Sequence, residues 1–173
     1  IARRQRQMCI RDRVSAANVF GGIWECGAGA IFAENQVIDW IKEYLSWPDE
    51  AVGTFVSGGT HGNLSALACA RDHAKNIWKN EGKYPNGRPS DGYKLIISKD
   101  THSSVKTIAK VLDVDVLTAE TDENGRMTGK TIEKLINENE GVFAVVATTG
   151  TTNTGSIDHI ESVSYTHLRA HET

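Results

Sequence analysis

The sequence predicts an α/β domain in which a mostly parallel sheet is flanked by helices. Segments with apolar residues at helical spacing alternate along the chain with short apolar segments that have strand character. Several of these short segments are continuously apolar instead of alternating with polar residues. Continuous apolar strands are typical of a parallel sheet that is covered on both faces.

The two ends of the chain are interpreted as foreign to this domain. Residues 1–13 contain the basic stretch RRQRQMCIRDR, and residues 163–173 read VSYTHLRAHET. Both resemble translated transposase-adapter DNA from sequencing libraries, so the fold prediction covers residues 14–162. The alternative for the first stretch is a basic arm that binds nucleic acid.

Charge and length limit the function of the remaining segment. The whole chain carries −3; five Arg and one Asp give residues 1–13 a charge of +4, and residues 163–173 are neutral, so residues 14–162 carry −7. This charge gives no reason to expect a nucleic acid or an anionic membrane as partner. About 150 residues suffice for one domain with a sizeable core, and no apolar run approaches the roughly 20 residues of a membrane helix.

The cysteines indicate neither a disulfide nor a metal site. Cys26 and Cys69 are the only two outside the end segments, and they lack metal-ligand spacing. We expect buried thiols in a reducing cytoplasm.

The elements are expected in the following order. Residues 16–29 are rich in glycine and read as a loop or a frayed helix. The apolar spacing predicts a helix over residues 31–47, which Pro48 ends. Downstream, strands are predicted at 94–98, 114–119 and 142–148, and helices at 103–112 and 128–139, with Thr128 as cap and Gly141 as terminator of the last helix.

Residues 54–71, TFVSGGTHGNLSALACAR, read as strand, glycine turn and helix, with the strand at 54–56. A helix start leaves backbone N–H groups unpaired, and the helix dipole favours negative charge there. Gly58 and Gly59 allow a ligand to approach the backbone, and Thr60 adds a hydroxyl donor, so the turn is a candidate phosphate site. The alternative is a glycine turn that binds nothing; the spacing fits neither a Walker loop nor G-x-G-x-x-G.

Two further polar clusters follow predicted strands. In SKDTHSS, residues 98–104, His102 is expected to stack on a flat ring or relay a proton, or else to cap its own helix. In TTGTTNTGSID, residues 148–158, Thr151 and Thr152 supply hydroxyls, and Asp158 either orients a neighbour or binds a cationic group. A purely structural turn is the alternative there. Because ligands bind at the carboxyl ends of parallel strands, the three clusters are expected to share a pocket.

Together these segments resemble the pyridoxal-phosphate-dependent amino-acid decarboxylases of the glutamate and aromatic-amino-acid type (group II). FVSGGTHGNLSAL resembles the family's phosphate loop, and DTHSSVKTIAKVL resembles its segment with the ring-stacking histidine. VVATTGTTNTGSID resembles its threonine strand end, and AENQVIDWIKEYL the helix before the phosphate loop. The similarity spans nearly all of residues 22–161.

The resemblance implies part of the large domain of the aspartate-aminotransferase-like fold (fold type I) and pyridoxal 5'-phosphate as cofactor. It implies that Gly59 and Thr60 hold the cofactor phosphate, while Gly58 makes room for it. It also implies that His102 stacks on the pyridine ring and stands near the substrate as a catalytic residue.

The remaining walls of the site follow from the same resemblance. Thr152 is expected beside the cofactor, with Asp158 supporting that wall, and residues 27–31 near the substrate's entry. Ile31 stands where some aromatic-type relatives carry a polar residue, so the substrate class is not carried over. His61, with the glycine that follows it, departs from the family's commoner Glu-Ala pair, which leaves phosphate binding through backbone and Thr60 intact.

Two catalytic parts of the family are not found in this chain. The lysine that forms the imine follows a histidine, and neither a His-Lys pair nor the Asp-Ala-Ala motif occurs here; Lys99 and Lys106 do not match. We therefore expect this fragment to be inactive, and the complete protein to be a cytoplasmic homodimer that releases CO2 from an amino acid. The alternatives are another fold type I enzyme, such as an aminotransferase or lyase, and a non-catalytic α/β module that binds a phosphorylated ligand.

Overall fold

The computed structural model describes residues 2–169, with side chains described for residues 8–164. The chain divides into two compact units, one ending at Val56 and one beginning at Ser57.

The first unit contains two helices. Helix α1 covers Ala2–Ala17, and helix α2 covers Trp24–Leu45 with a kink at Gly27. Residues 16–29, expected as a loop or a frayed helix, contain both: residues 18–23 connect the two helices without helical structure, and residues 24–29 form the kinked start of α2. The helix expected over residues 31–47 is present with different bounds. It begins at Trp24 and ends at Leu45, three residues before Pro48, because Ser46 adopts a left-handed conformation with φ 53°.

The strand expected at residues 54–56 is wrong. Within residues 2–169 this segment has no strand partner, and Glu34 of α2 takes the place of one. A carboxylate oxygen of Glu34 accepts the backbone N–H of Phe55 at 2.6 Å and the hydroxyl of Thr54 at 2.9 Å. These hydrogen bonds lower the pKa of Glu34 from its ordinary value, and the bond from the Phe55 backbone has the largest effect.

The second unit is built around a parallel three-stranded sheet, which confirms the predicted fold class. Its strands are β1 (Tyr93–Ser98), β2 (Val114–Ala119) and β3 (Val142–Val146), in the order β2-β1-β3. All three were predicted to within two residues at either end. The helices are α3 (Gly59–Asn80), α4 (Ser103–Val111), α5 (Gly129–Glu138) and α6 (Ile160–Arg169), with a short 3-10 turn at Pro85–Gly87.

Both faces of the sheet are covered, as the continuous apolar strands predicted. Leu95 and Ile97 of β1 pack on one face, and Ile96 between them packs on the other. All three are fully buried. The first face carries α3 and α4, whose buried side chains include Leu67, Ala74, Trp78, Val105, Ile108 and Ala109. The second face carries α5 and α6, with Met127, Ile132 and Val163.

The two crossover helices lie on opposite faces of the sheet. Helix α4 connects β1 to β2 on the first face, and α5 connects β2 to β3 on the second. This follows from the strand order, because right-handed crossovers that run in opposite directions across a sheet must use opposite faces. The chain leaving β1 thus turns to one face and the chain leaving β3 turns to the other.

Three local expectations differ from the structure. Cys26 and Cys69 are exposed, not buried; Cys69 lies on the side of α3 turned away from the buried Leu67. Thr128 occupies the N-cap position of α5, but its side chain makes no capping hydrogen bond. Gly141 follows the end of α5 by three residues and forms the turn into β3, where its φ of 78° suits glycine.

The domain boundaries at residues 13 and 163 stay predictions. Helix α1 runs across the first boundary, and Val163 at the second is a buried part of the core on the second face. Among the helices of residues 2–169, none is long and apolar enough to cross a membrane.

Candidate functional site

The amino end of α3 presents unpaired backbone donors. Gly58 is its N-cap, with φ 148° and no side-chain capping bond. The first backbone bond of the helix runs from the N–H of Gly62 to the carbonyl of Gly58 at 3.1 Å, so the preceding N–H groups have no intrahelical acceptor. A Cβ placed on Gly58 or Gly59 would meet no atom within 4 Å. The open backbone donors and the hydroxyl of Thr60 fit a phosphate.

The direction of α3 places this end at the carboxyl edge of the sheet. Trp78, near the other end of α3, stacks on Tyr93 at the start of β1, with ring centroids 6.1 Å apart. Gly59 lies about 28 Å from Trp78 along the helix axis, whereas β1 is only about 20 Å long. Because Leu67 and Ala74 pack α3 along the first face of the sheet, the helix runs antiparallel to β1, and Gly59 lies at the edge where the strands end.

His102 forms the start of α4 at the same edge. It is the N-cap of that helix, and its Nδ1 accepts the backbone N–H of Ser104 at 3.2 Å. Nδ1 also lies 2.8 Å from the hydroxyl of Ser104. Because Nδ1 is an acceptor, the neutral ring carries its proton on Nε2. The capping role is thus present, and the ring-stacking role stays a prediction.

The loop between β3 and α6, residues 147–159, has an inward and an outward threonine. Thr151 is buried: its hydroxyl lies 2.7 Å from that of Thr154 and accepts the N–H of Ser156 at 3.0 Å. Thr152 is exposed at the turn. The hydroxyl of Thr151 is therefore used inside the loop, whereas the Thr152 side chain is exposed; the role of Thr152 beside the cofactor stays a prediction.

Asp158 closes the base of the same loop. The carboxylate is buried, and its two oxygens accept the backbone N–H groups of Met127 and Thr148, each at 2.7 Å. Its own N–H donates to the carbonyl of Thr148 at 2.9 Å. Among the two alternatives from the sequence, these contacts favour a carboxylate that orients its neighbours; its role toward the cofactor stays a prediction.

The topology brings these segments to one edge. β1 and β3 are adjacent and parallel, and the helices that follow them lie on opposite faces, so a crevice is expected beyond their carboxyl ends. His102 follows β1, and the loop with Thr152 and Asp158 follows β3. Helix α3 packs beside α4 with Gly58–Thr60 at this edge. Residues 27–31 belong to the first unit, as part of α2, and their role stays a prediction.

The sequence reasoning missed a charged cluster around Asp122. One oxygen of Asp122 accepts the backbone N–H groups of Asn124 and Arg126, both at 2.9 Å, and the other accepts Nε of Arg126 at 2.9 Å. These bonds lower the pKa of Asp122 to about 2, and the bond from the Arg126 backbone has the largest effect. The turn sequence DENG at residues 122–125 could have indicated these contacts, because the side chain of an Asp that starts a turn commonly accepts hydrogen bonds from backbone N–H groups of the residues that follow it.

Most of this chain is similar in sequence to known proteins. Residues 14–171 match the family described as "Pyridoxal-dependent decarboxylase conserved domain". The aromatic-L-amino-acid decarboxylase of Bacillus atrophaeus is 35% identical over 157 residues, which cover 87% of this chain and 30% of that protein. The L-2,4-diaminobutyrate decarboxylase of Acinetobacter baumannii is 32% identical over 167 residues, which cover 87% of this chain and 32% of that protein.

Solved structures agree with the fold. The glutamate decarboxylase domain of a diaminobutyrate-pyruvate transaminase and L-2,4-diaminobutyrate decarboxylase from Vibrio parahaemolyticus has a TM-score of 0.79 and 25% identity; the match covers 94% of this chain and 37% of that one. Mouse CSAD has a TM-score of 0.77 and 26% identity, over 94% of this chain and 35% of that one. The chain spans about a third of the length of the relatives it matches.

Proposed function

Because this chain belongs to the pyridoxal-dependent decarboxylase family, we propose that the protein containing it is a carboxy-lyase that releases CO2 from an amino acid. Pyridoxal phosphate is the cofactor of this family. The observation that supports the proposal most directly is the uncapped glycine start of α3 at the carboxyl edge of the sheet.

The residues at this edge fit the cofactor's phosphate. The N–H groups of Gly59 and Thr60 and the Thr60 hydroxyl are donors, and the helix dipole favours the negative charge. Gly58 and Gly59 leave the approach to these donors open. When bound, the cofactor supplies an electron sink for the carbanion left by loss of CO2.

His102 and Thr152 are proposed to border the ring of the cofactor. The Ser104 contacts fix Nδ1 of His102 and leave Nε2–H as its donor. A flat imidazole at this position can stack on the pyridine ring and present that donor to the substrate. Thr152 contributes a hydroxyl from the loop after β3, and Asp158 holds the base of that loop.

The lysine and the ring-nitrogen carboxylate are proposed to lie outside this chain. No His-Lys pair and no Asp-Ala-Ala motif occurs in the sequence, so the chain alone is proposed to be inactive. The complete enzyme is proposed to be a cytoplasmic homodimer with an amino-acid substrate, without nucleic-acid or membrane partners; the charge of −7 on residues 14–162 supports the last point.

Cofactor titration of the full-length protein tests this proposal. Thr60→Ala is expected to weaken pyridoxal-phosphate binding by about tenfold, the effect of one lost hydrogen bond to a charged group. Thr60→Ser should restore it, and Ser65→Ala, an exposed position further along α3, should leave it unchanged.

The reaction type needs a separate assay. We expect the full-length protein to release CO2 from at least one member of an amino-acid panel. Transfer of the amino group to a keto acid without CO2 release would instead identify an aminotransferase. Absence of cofactor binding in the full-length wild type would favour the non-catalytic module.

A further inference from the structure

We propose that the turn from Thr121 to Met127, here called the Asp122 turn, positions the loop of residues 147–159 and thereby sets the protein's affinity for its cofactor. The inference rests on the proposed function, because it acts through Thr152 of that loop. It assigns a positioning role to Asp122, whose side chain the proposed chemistry does not use.

The Asp122 turn is fixed internally. The N–H of Asp122 donates to the carbonyl of Arg126 at 2.9 Å, and the N–H of Gly125 donates to the carbonyl of Asp122 at 2.9 Å. The Asp122 carboxylate adds the two backbone bonds described above and an ion pair with Nη2 of Arg126 at 2.9 Å. An antiparallel bridge joins Thr121 to Met127. A turn with so many internal bonds moves as one piece.

Four contacts link this turn to the loop after β3. They are Asp122 Oδ2 to His159 Nε2 at 3.4 Å, the Ser156 hydroxyl to the Asn124 carbonyl at 3.1 Å, the His159 N–H to the Met127 carbonyl at 3.0 Å, and the Met127 N–H to Asp158 Oδ1 at 2.7 Å. They reach the loop at both Ser156 and Asp158–His159. The turn therefore constrains the loop at two separate points.

The contact at Ser156 continues towards Thr152. The Ser156 hydroxyl lies 2.8 Å from that of Thr154, and the Ser156 N–H donates to the Thr151 hydroxyl at 3.0 Å. The Ser156 carbonyl accepts the N–H of Thr151 at 3.0 Å. A displacement of Ser156 thus moves Thr151, and with it the adjacent Thr152.

The turn also borders the loop that carries His102. A Cβ built on Gly125 would lie 3.7 Å from the Asp100 carboxylate and 3.8 Å from the Ser156 hydroxyl. Gly125 therefore lies between the loop after β1 and the loop after β3. These are the two strands between which the topology places the crevice.

The test compares three variants of the full-length protein. Asp122→Ala removes every hydrogen bond and ion pair of the Asp122 side chain, namely those to Asn124, Arg126 and His159. Asp122→Asn keeps an acceptor for the backbone N–H groups but loses the charge that pairs with Arg126 and His159. Asp113→Asn is the matched control, because it makes the same change in an exposed pair, 3.1 Å from Arg88, at the opposite edge of the sheet.

The first measurement needs no cofactor. In the apo protein, Asp122→Ala should speed amide hydrogen exchange at Thr151, Gly155 and Ser156, whereas the control should match the wild type. If Asp122→Ala does not fold, Asp122→Asn is compared with the control in the same way. Unchanged exchange in the folded Asp122 variant would overturn the positioning role.

The second measurement separates positioning from general destabilisation. Asp122→Ala is expected to weaken pyridoxal-phosphate binding by about tenfold, with Asp122→Asn intermediate and the control unchanged. In the double variant Asp122→Ala/Thr152→Ala, the loss of affinity should be smaller than the sum of the two single losses, because Asp122 acts through Thr152. Additive losses would overturn the route through Thr152. So would a Thr152→Ala variant with wild-type affinity, whereas the family's cofactor assignment would still stand on the Thr60→Ala result.

Discussion

Oδ1 of Asp158 lies 2.7 Å from the backbone nitrogen of Met127, 31 positions earlier in the chain. The other oxygen accepts the N–H of Thr148, two residues after the end of β3. One buried carboxylate thus joins the segment that follows β3 to the turn before α5, at the edge of the sheet where the proposed cofactor residues lie.

Removing that carboxylate should destabilise the fold. Asp158→Ala leaves the N–H groups of Met127 and Thr148 without acceptors, which should cost about 2–4 kcal/mol of unfolding free energy. Asp158→Asn retains one acceptor and should cost less. Urea unfolding of the full-length protein measures both, with Asp115→Ala on the exposed side of β2 as control. Equal stability of Asp158→Ala and the control would contradict this reading.

Asp122 should contribute stability that acid removes. Its hydrogen bonds lower the pKa from the ordinary 3.8 to about 2 in the folded state. The contribution is complete above the unfolded value and is lost as the pH falls from about 4 to about 2. The stability difference between wild type and Asp122→Asn should therefore narrow over this range in denaturant titrations. A stability difference between the two proteins that stays constant from pH 7 to pH 2 would contradict a contribution from the ionised Asp122.

Gly59→Ala should separate folding from cofactor binding. Gly59 is the first residue of α3, its φ is not positive, and its Cβ would meet open space. The apo protein should keep its stability or gain up to about 1 kcal/mol, because alanine is the better helix former. The added methyl group should hinder a phosphate at the backbone and weaken binding by roughly an order of magnitude. Thermal unfolding measures the stability of the Gly59→Ala variant, and cofactor titration measures its affinity. An affinity equal to that of the wild type would mean that the phosphate binds elsewhere.

Ser104 should control the orientation of the His102 ring. Ser104→Ala removes the hydroxyl 2.8 Å from Nδ1 but keeps the backbone N–H bond at 3.2 Å. We expect a modest loss of cofactor affinity, about fivefold or less, the range of one neutral hydrogen bond. The 15N chemical shifts of His102 in the apo protein should also change, whereas Ser103→Ala, at an exposed position, should leave them as in wild type. Identical shifts in both variants would refute the contact.

Elements that were predicted correctly are specified by residues within the element, whereas the incorrect predictions depend on residues elsewhere in the chain. The strands at Tyr93–Ser98 and Val142–Val146 were predictable because continuous apolar residues require burial on both faces. The expected strand at residues 54–56 failed because its backbone N–H partner is the carboxylate of Glu34, which no local pattern in the segment reveals. The prediction that Cys26 and Cys69 are buried was wrong for the same reason, since the exposure of a helix residue depends on what packs against that face of the helix.

The site shows the same division. Local chemistry was enough to indicate the open helix start at Gly58–Thr60, because glycines and a threonine at a helix start identify unpaired donors wherever the helix lies. It did not reveal that Thr151 is occupied inside its loop while Thr152 faces outward. Nor did it reveal the contacts between the Asp122 turn and residues 156–159, which join segments more than 30 positions apart.

The sequence alone determined the alternation of strands and helices, the family resemblance and the residue types at the ends of the strands, since periodicity and turn chemistry act over a few neighbouring residues. Only the tertiary structure decided the strand order β2-β1-β3 and the opposite faces of α4 and α5. It also decided that Asp158 bonds Met127 and Thr148, because such contacts depend on how the folded chain returns to the same edge of the sheet.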